Sequence, residues 1–202
     1  MCRHHLQENN MKLYFNPKSR AVNSKWLLDE IGADYDLVHV DMENGEHKSE
    51  DFRQINPAGK LPALVDGDDR VFESVAISLY LVEKFPDANL GPQSGDPGRG
   101  RFLSLMVYAT SQFEPAMGDK LMEVDEGSAG RGWTDFDTCL DVLEKELGDG
   151  PWLFGDWFTA ADLMIGATLF WKRMFDGPTD RQALEDYTDR LLARPSAPSM
   201  GG

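Results

Sequence analysis

The run Asn56-Pro57-Ala58-Gly59-Lys60-Leu61-Pro62 ends in a proline that opens an apolar strand, Ala63-Leu64-Val65. Proline cannot donate to a sheet ladder, so inside a sheet it is confined to edges, bulges or the first residue of a strand. A cis bond at Leu61–Pro62 would turn Leu61 outward. Its N–H and C=O would then be open to an extended peptide adding as one more strand. Farther on, Glu73 and Ser74 stand where the next strand gives way to a helix, and the unpaired N–H groups of a helix start collect carboxylates. A free backbone edge beside such a pocket suits a short zwitterionic peptide.

The elements that must position these groups can be read from hydrophobic spacing. Residues 13–15 form a short apolar strand ended by Asn16-Pro17, followed by a helical pattern with Val22, Trp26, Leu27 and Ile31 on one face and Gly32 as its stop. Residues 35–40 alternate toward a second strand, residues 47–55 are polar and irregular, and residues 62–65 and 70–72 form a hairpin across Asp66-Gly67-Asp68-Asp69. A helix over residues 73–85 completes a βαβαββα order, which fits a small mixed sheet with helices on both faces. Residues 86–100 are rich in proline and glycine and read as a linker between a domain at 11–85 and a second at 101–195. Beyond the linker only helical patterns recur, so the C-terminal domain reads as all-α, with the almost uniformly apolar stretch 160–171 at its centre. Thr159 and Asp162, at the start of that stretch, have the spacing of a capping box.

Composition narrows the function classes. The 202 residues suffice for one generous domain or two small ones, and 41% hydrophobic content marks a globular chain. A net charge of −15 makes nucleic-acid phosphates and anionic membrane surfaces poor partners, because binding them takes clustered Lys and Arg. Cys2 and Cys139 give neither a disulfide framework nor metal-ligand spacing, which points to a reducing, cytoplasmic setting. No stretch of eighteen apolar residues is present to span a bilayer. The polar opening at 1–10 lacks a signal-peptide core and reads as a disordered extension, with Met11 the natural start. Its adjacent His4 and His5 lack the further ligands a metal site needs.

The segment 56–62, the run Glu73-Ser74-Val75-Ala76-Ile77 and the capping stretch Phe158-Thr159-Ala160-Ala161-Asp162 resemble elements of the glutathione transferase family. The likeness runs from residue 11 to residue 195 and is nearest to bacterial members of theta, nu or beta type. It implies a thioredoxin-like N-terminal domain, an all-α C-terminal domain and a cytoplasmic homodimer. It also implies glutathione as co-substrate without a further cofactor or metal, and a small hydrophobic electrophile as the second substrate. Glutathione would be held by His47, Lys48, Lys60, Leu61, Pro62, Glu73 and Ser74. The rival readings are a glutathione-dependent peroxidase or disulfide reductase, and a non-catalytic binding module of the same fold.

For the reaction, the resemblance directs attention to the turn Asn16-Pro17-Lys18-Ser19-Arg20-Ala21. A free thiol ionises near ~8.5, so activating it by about two units takes roughly 2.7 kcal/mol of thiolate stabilisation. A hydrogen bond to a charged group contributes about 1.5–3 kcal/mol, so one hydroxyl is sufficient in magnitude. Ser19 is the leading candidate, with an N-capping role as its alternative. Family members with a catalytic cysteine align it with Arg20, and theta-like members carry a serine nearer Asn16, so Asn16 and Arg20 stay candidates. Tyr14, inside the strand, reads as packed. The absence of a Cys-x-x-Cys pair argues against a dithiol oxidoreductase. Tyr108, Phe113, Met117 and Trp171 could line a hydrophobic-substrate pocket, although aromatics at helical spacing are more often core.

Overall fold

A computed structural model describes residues 11–124 and 130–198, which form two compact units dividing between Lys84 and Phe85. The polar opening at 1–10, with its expected disorder and its His4 and His5, lies outside the described residues.

In the first unit β1 (Met11–Phe15) buries Met11, Leu13 and Phe15 and turns Lys12 and Tyr14 to the opposite face, the period-two alternation of a strand. Helix α1 (Ala21–Ile31) sets Trp26, Leu27 and Leu28 into the core and stops at Gly32, whose φ of 71° is the left-handed conformation that favours glycine. Strand β2 (Asp36–His39) pairs parallel with β1. A single 3₁₀ turn at Glu46–Lys48 leads to α2 (Glu50–Arg53), where the Ser49 hydroxyl accepts the Phe52 N–H at 3.1 Å. The hairpin β3 (Ala63–Asp66) and β4 (Asp69–Phe72) turns at Gly67, and α3 (Ser74–Lys84) follows. The sheet order is β2-β1-β3-β4. Helices α1 and α3 pack together against one face. On the other, Tyr14 meets Phe52 of α2 edge-on at 5.8 Å, in a cluster with Val40, Ile55, Leu61 and Ala63. Tyr14 is a packing residue, as its strand position implies, and helices cover both faces.

The second unit is helical: α4 (Arg99–Tyr108), a π-helical turn at Ala109–Phe113, α5 (Glu114–Leu121), α6 (Phe136–Leu147), α7 (Ala160–Asp176) and α8 (Gln182–Leu192). Residues 86–100, read above as a linker, are bonded into this unit. The Leu90 carbonyl accepts the Ala160 N–H at 2.7 Å, and the Asn89 carbonyl accepts the Trp157 indole at 2.6 Å. Phe113 and Met117 are core residues. Among the described residues no helix is long and apolar enough to cross a membrane.

Helix α7 is the axis of the unit, buried without interruption from Ala160 to Phe170. Its start is the expected capping box. Asp162 Oδ2 accepts the Thr159 N–H at 2.8 Å and the Thr159 hydroxyl at 2.9 Å; Oδ1 accepts the Leu153 N–H at 2.7 Å and the Tyr187 hydroxyl at 3.1 Å. Burial pushes the Asp162 carboxyl up from its usual range while these donors pull it down. Gly166 lies where α8 crosses: a Cβ built there would stand 2.0 Å from Leu191 Cδ2 and 3.3 Å from its Cγ. Alanine gains about 1 kcal/mol of helix propensity over glycine, against roughly 1–3 kcal/mol for overpacking. Gly166→Ala should therefore lower the unfolding free energy by about 1 kcal/mol in urea denaturation. Adding Leu191→Ala should cost less than the two single changes summed, and strict additivity would remove the clash from the explanation.

Candidate functional site

Strand register decides which segments meet. Tyr14 lies opposite Ala63 in the antiparallel β1–β3 pair, Ala63 lies opposite Phe72 in β3–β4, and Phe15 lies beside His39 in parallel β1–β2. The four strands thus open at one end of the sheet onto the predicted site segments. Asn16 to Arg20 follow β1, the loop carrying His47 and Lys48 follows β2, Lys60 to Pro62 precede β3, and Glu73 and Ser74 follow β4.

The turn after β1 is locked by its own polar groups. Asn16 Nδ2 donates to the Val40 carbonyl at 2.9 Å, and Asn16 Oδ1 accepts the Lys18 N–H at 2.9 Å. Buried Ser19 donates its hydroxyl to the Asn16 carbonyl at 2.7 Å and accepts the Ala21 N–H at 3.2 Å. Arg20, half-buried, occupies the cap position of α1 and makes no side-chain cap bond. Ser19 therefore holds the turn rather than capping in the standard way, and its proton is already committed.

The loop before β3 is organised by Asn56, which is 1% exposed. Its Nδ2 donates to the Lys60 carbonyl at 2.7 Å and its Oδ1 accepts the Ala58 N–H at 3.0 Å. Gly59 has φ +61°, and a Cβ there would lie 2.9 Å from the His47 carbonyl, so only glycine allows this turn to close on the 3₁₀ segment. The Leu61–Pro62 peptide is cis, as expected from the sequence. Among the described residues neither the N–H nor the C=O of Leu61 takes a protein partner. His47 is buried, and its Nδ1 is without a partner among the described residues. Buried polar atoms are nearly always satisfied, so such a loose end needs an explanation. Lys48 and Lys60 are exposed.

At the fourth corner Glu73 has φ +72°, a left-handed conformation that costs a non-glycine residue about 1–2 kcal/mol. Strain of this kind clusters at ligand clamps. Its carbonyl still accepts the Ile77 N–H at 2.9 Å, so α3 begins directly behind it. Among the described residues the Ser74 hydroxyl and N–H have no protein partner. A carboxylate, a hydroxyl and the amino end of α3 thus gather where the sequence places an ammonium-and-carboxylate pocket. Asn56 and Gly59 are visible in the sequence only as motif letters, and Arg53 is passed over in a stretch that reads as merely polar. Its Nε lies 3.7 Å from the point a Gly59 Cβ would occupy. Among the described residues no group of His, Cys, Asp and Glu is arranged to hold a metal ion.

Comparison with known proteins identifies the family. The profile of the glutathione S-transferase N-terminal domain matches residues 9–83, and that of the C-terminal domain matches residues 115–190. A glutathione S-transferase of Hyoscyamus muticus is 31% identical over 188 residues, covering 84% of this chain and 86% of the relative. This chain belongs to the glutathione S-transferase family. Among solved structures, a glutathione transferase from Methylococcus capsulatus superposes with a TM-score of 0.76 at 28% identity, covering 92% of this chain and 94% of that one. A sphingomonad glutathione S-transferase complexed with glutathione gives 0.74 at 29% identity, with the same coverage. In this transferase-family chain the strain at Glu73 is directly testable. Glu73→Gly should raise the unfolding free energy by about 0.5–1 kcal/mol, since relief of the left-handed strain exceeds the entropy glycine adds to the unfolded chain. Glu73→Ala should bring no such gain in the same denaturation experiment; equal gains from both would mean the backbone angle is not the cause.

Proposed function

We propose that the protein is a glutathione transferase in which the first unit holds glutathione and activates its thiol for attack on a hydrophobic electrophile. The observation that carries this reading is the convergence, at one end of the sheet, of an unpaired Leu61 backbone with Glu73 and Ser74 at the start of α3. The cysteinyl backbone of the tripeptide pairs with Leu61 as an added strand, beside Pro62. Its γ-glutamyl ammonium and carboxylate meet Glu73 and the amino end of α3 with Ser74. Its glycine carboxylate meets His47, Lys48 and Lys60. That arrangement leaves the sulfur facing the turn of Asn16, Ser19 and Arg20.

The chemistry is nucleophilic substitution or conjugate addition: the thiolate donates its electron pair to carbon, and a halide leaves or a proton is taken up. Ser19 contributes a difference between two bonds. Turning its hydroxyl to the sulfur gains about 1.5–3 kcal/mol and gives up the bond to the Asn16 carbonyl, about 0.5–1.5 kcal/mol. The net, about 1–1.5 kcal/mol, lowers the thiol by about one unit. The helix start adds about 0.3–1 kcal/mol.

Conjugation of glutathione to an aryl halide, followed across pH, tests this reading. Below the ionisation of the bound thiol, rate follows the thiolate fraction, so Ser19→Ala should be slower by roughly tenfold. Above the variant's own ionisation both proteins are fully thiolate and the deficit should close. A loss independent of pH would mean that Ser19 only shapes the turn. An unchanged rate would move the role to Asn16 or Arg20. Turnover of a hydroperoxide without conjugation would replace transfer by reduction.

A further inference from the structure

Three basic residues, Lys48, Arg53 and Lys60, belong to the segments that meet at the Gly59 turn in a chain that is otherwise strongly acidic. Two distances fix the grouping: Arg53 Nε lies 3.7 Å, and Lys48 Cα 3.8 Å, from the point where a Gly59 Cβ would stand. Lys60 is the next residue of the chain. The closeness is built in. Gly59 lies in the left-handed region and packs against the His47 carbonyl, which draws the 3₁₀ turn, the end of α2 and the loop before β3 to one spot. Elsewhere in the first unit Lys18, Lys25 and Lys84 pair with Glu43, Asp29 and Asp66, while Lys12 on β1 and Arg70 on β4 stand singly without an ion pair among the described residues. Among the described residues Lys48, Arg53 and Lys60 have no such partner, although Glu50 and Asp51 lie in the same short helix as Arg53. Like charges gathered without counter-charge repel, and an anionic ligand relieves that repulsion.

We propose that Arg53 is a further binding residue of this site, selecting a tripeptide thiol whose C-terminal carboxylate is free. The inference rests on the glutathione reading above and names a residue that reading does not use. Lysine offers a mobile point charge, whereas the guanidinium presents a planar fork that matches a carboxylate in geometry as well as charge. With Lys48 and Lys60 as flanking charges, Arg53 is the group that distinguishes a carboxylate from an ester of the same size. Esterification removes the charge and one of the two equivalent oxygens together.

Calorimetric titration of the full chain with glutathione and with its glycine monoethyl ester tests the assignment. The wild-type protein should bind glutathione about tenfold more tightly than the ester, as befits a charge read by several cations. Arg53→Gln should weaken glutathione about fivefold, the upper range for an exposed charge pair, and leave the ester unchanged. Arg53→Lys should fall between the two. The gap between wild type and Arg53→Gln should narrow in about 0.5 M salt, where exposed charges are screened within a few ångströms. If Arg53→Gln weakens both ligands equally, or neither, while the wild type binds glutathione, the assignment of Arg53 is wrong and the site reading survives. If the wild type binds neither ligand, the glutathione reading itself falls and takes this inference with it.

Discussion

The pairing of β1 with β3 is the constraint on which the site depends. Tyr14 opposite Ala63 sets two things at once. It turns Leu13 and Phe15 toward the face covered by α1 and α3 and Tyr14 toward Phe52, and it brings the turn after β1 level with the loop before β3. Because side chains alternate with a period of two, a slip of one residue would exchange the two faces. Tyr14 would enter the helical core, Leu13 would lose its burial, and Asn16 would no longer stand beside the start of β3. Hydrophobic burial and site assembly are therefore specified by the same ladder. The approach to β3 is held separately, by the hydrogen bonds of Asn56, so the backbone of Leu61 arrives in one orientation without forming bonds of its own.

Polar groups divide into two kinds. In the second unit, where Asp162 starts α7 and ties in Leu153 and Tyr187, both oxygens of the carboxylate are bonded and the cap is closed to solvent. At the sheet end of the first unit the reverse holds. His47 keeps a buried, unpaired nitrogen, Leu61 an unpaired peptide edge, and Glu73 a strained backbone. An unsatisfied buried polar group costs about 1–3 kcal/mol, and a typical domain is stable by only about 5–15 kcal/mol. A ligand that closed them would return binding free energy that the empty fold lacks. The second unit also has buried atoms without a hydrogen-bond partner among the described residues, at Tyr108, Arg173 and Arg181, and left-handed backbones at Asn89 and Glu123, so the candidate site is marked by the gathering of such features at one sheet end and not by their presence alone.

Much of this was legible from residue order alone. Leu13, Trp26 and Leu27 fix a strand and a helix by period, Gly32 marks a stop, and Pro62 announces an unusual strand start. Glu73 and Ser74 were readable as a pocket because they follow a strand and open a helix. What escaped the sequence is side-chain bookkeeping over long range. The hydroxyl of Ser19 has two possible directions, and only coordinates show it given to the Asn16 carbonyl. Asn16 itself looks like a candidate for chemistry, yet its amide ties the turn to Val40, 24 residues away, a contact no local pattern encodes. Arg53 was invisible because its place beside Gly59 depends on a left-handed glycine bringing two loops together. Residues 86–100 have a linker's composition, but their carbonyls bond Ala160 and Trp157, which proline and glycine content cannot reveal.

Net charge and local charge pull in opposite directions here, and the distances involved decide between them. At physiological ionic strength exposed charges are screened beyond about 8 Å, so most of the −15 is not felt at any one point. What matters to an anionic peptide is the charge within that radius of the Gly59 turn. The acids of the preceding loop are occupied in shaping it: Glu46 accepts the Asp41 N–H at 2.6 Å, Asp41 accepts the Asn44 N–H at 3.0 Å, and Glu43 holds Lys18. Their carboxylates are thereby turned to the loop's own backbone and to Lys18, which leaves Glu50 and Asp51 of α2 as the acids nearest in sequence to Lys48, Arg53 and Lys60. The long-range field therefore offers an anionic ligand no attraction, and recognition at this turn falls to contacts made at short range.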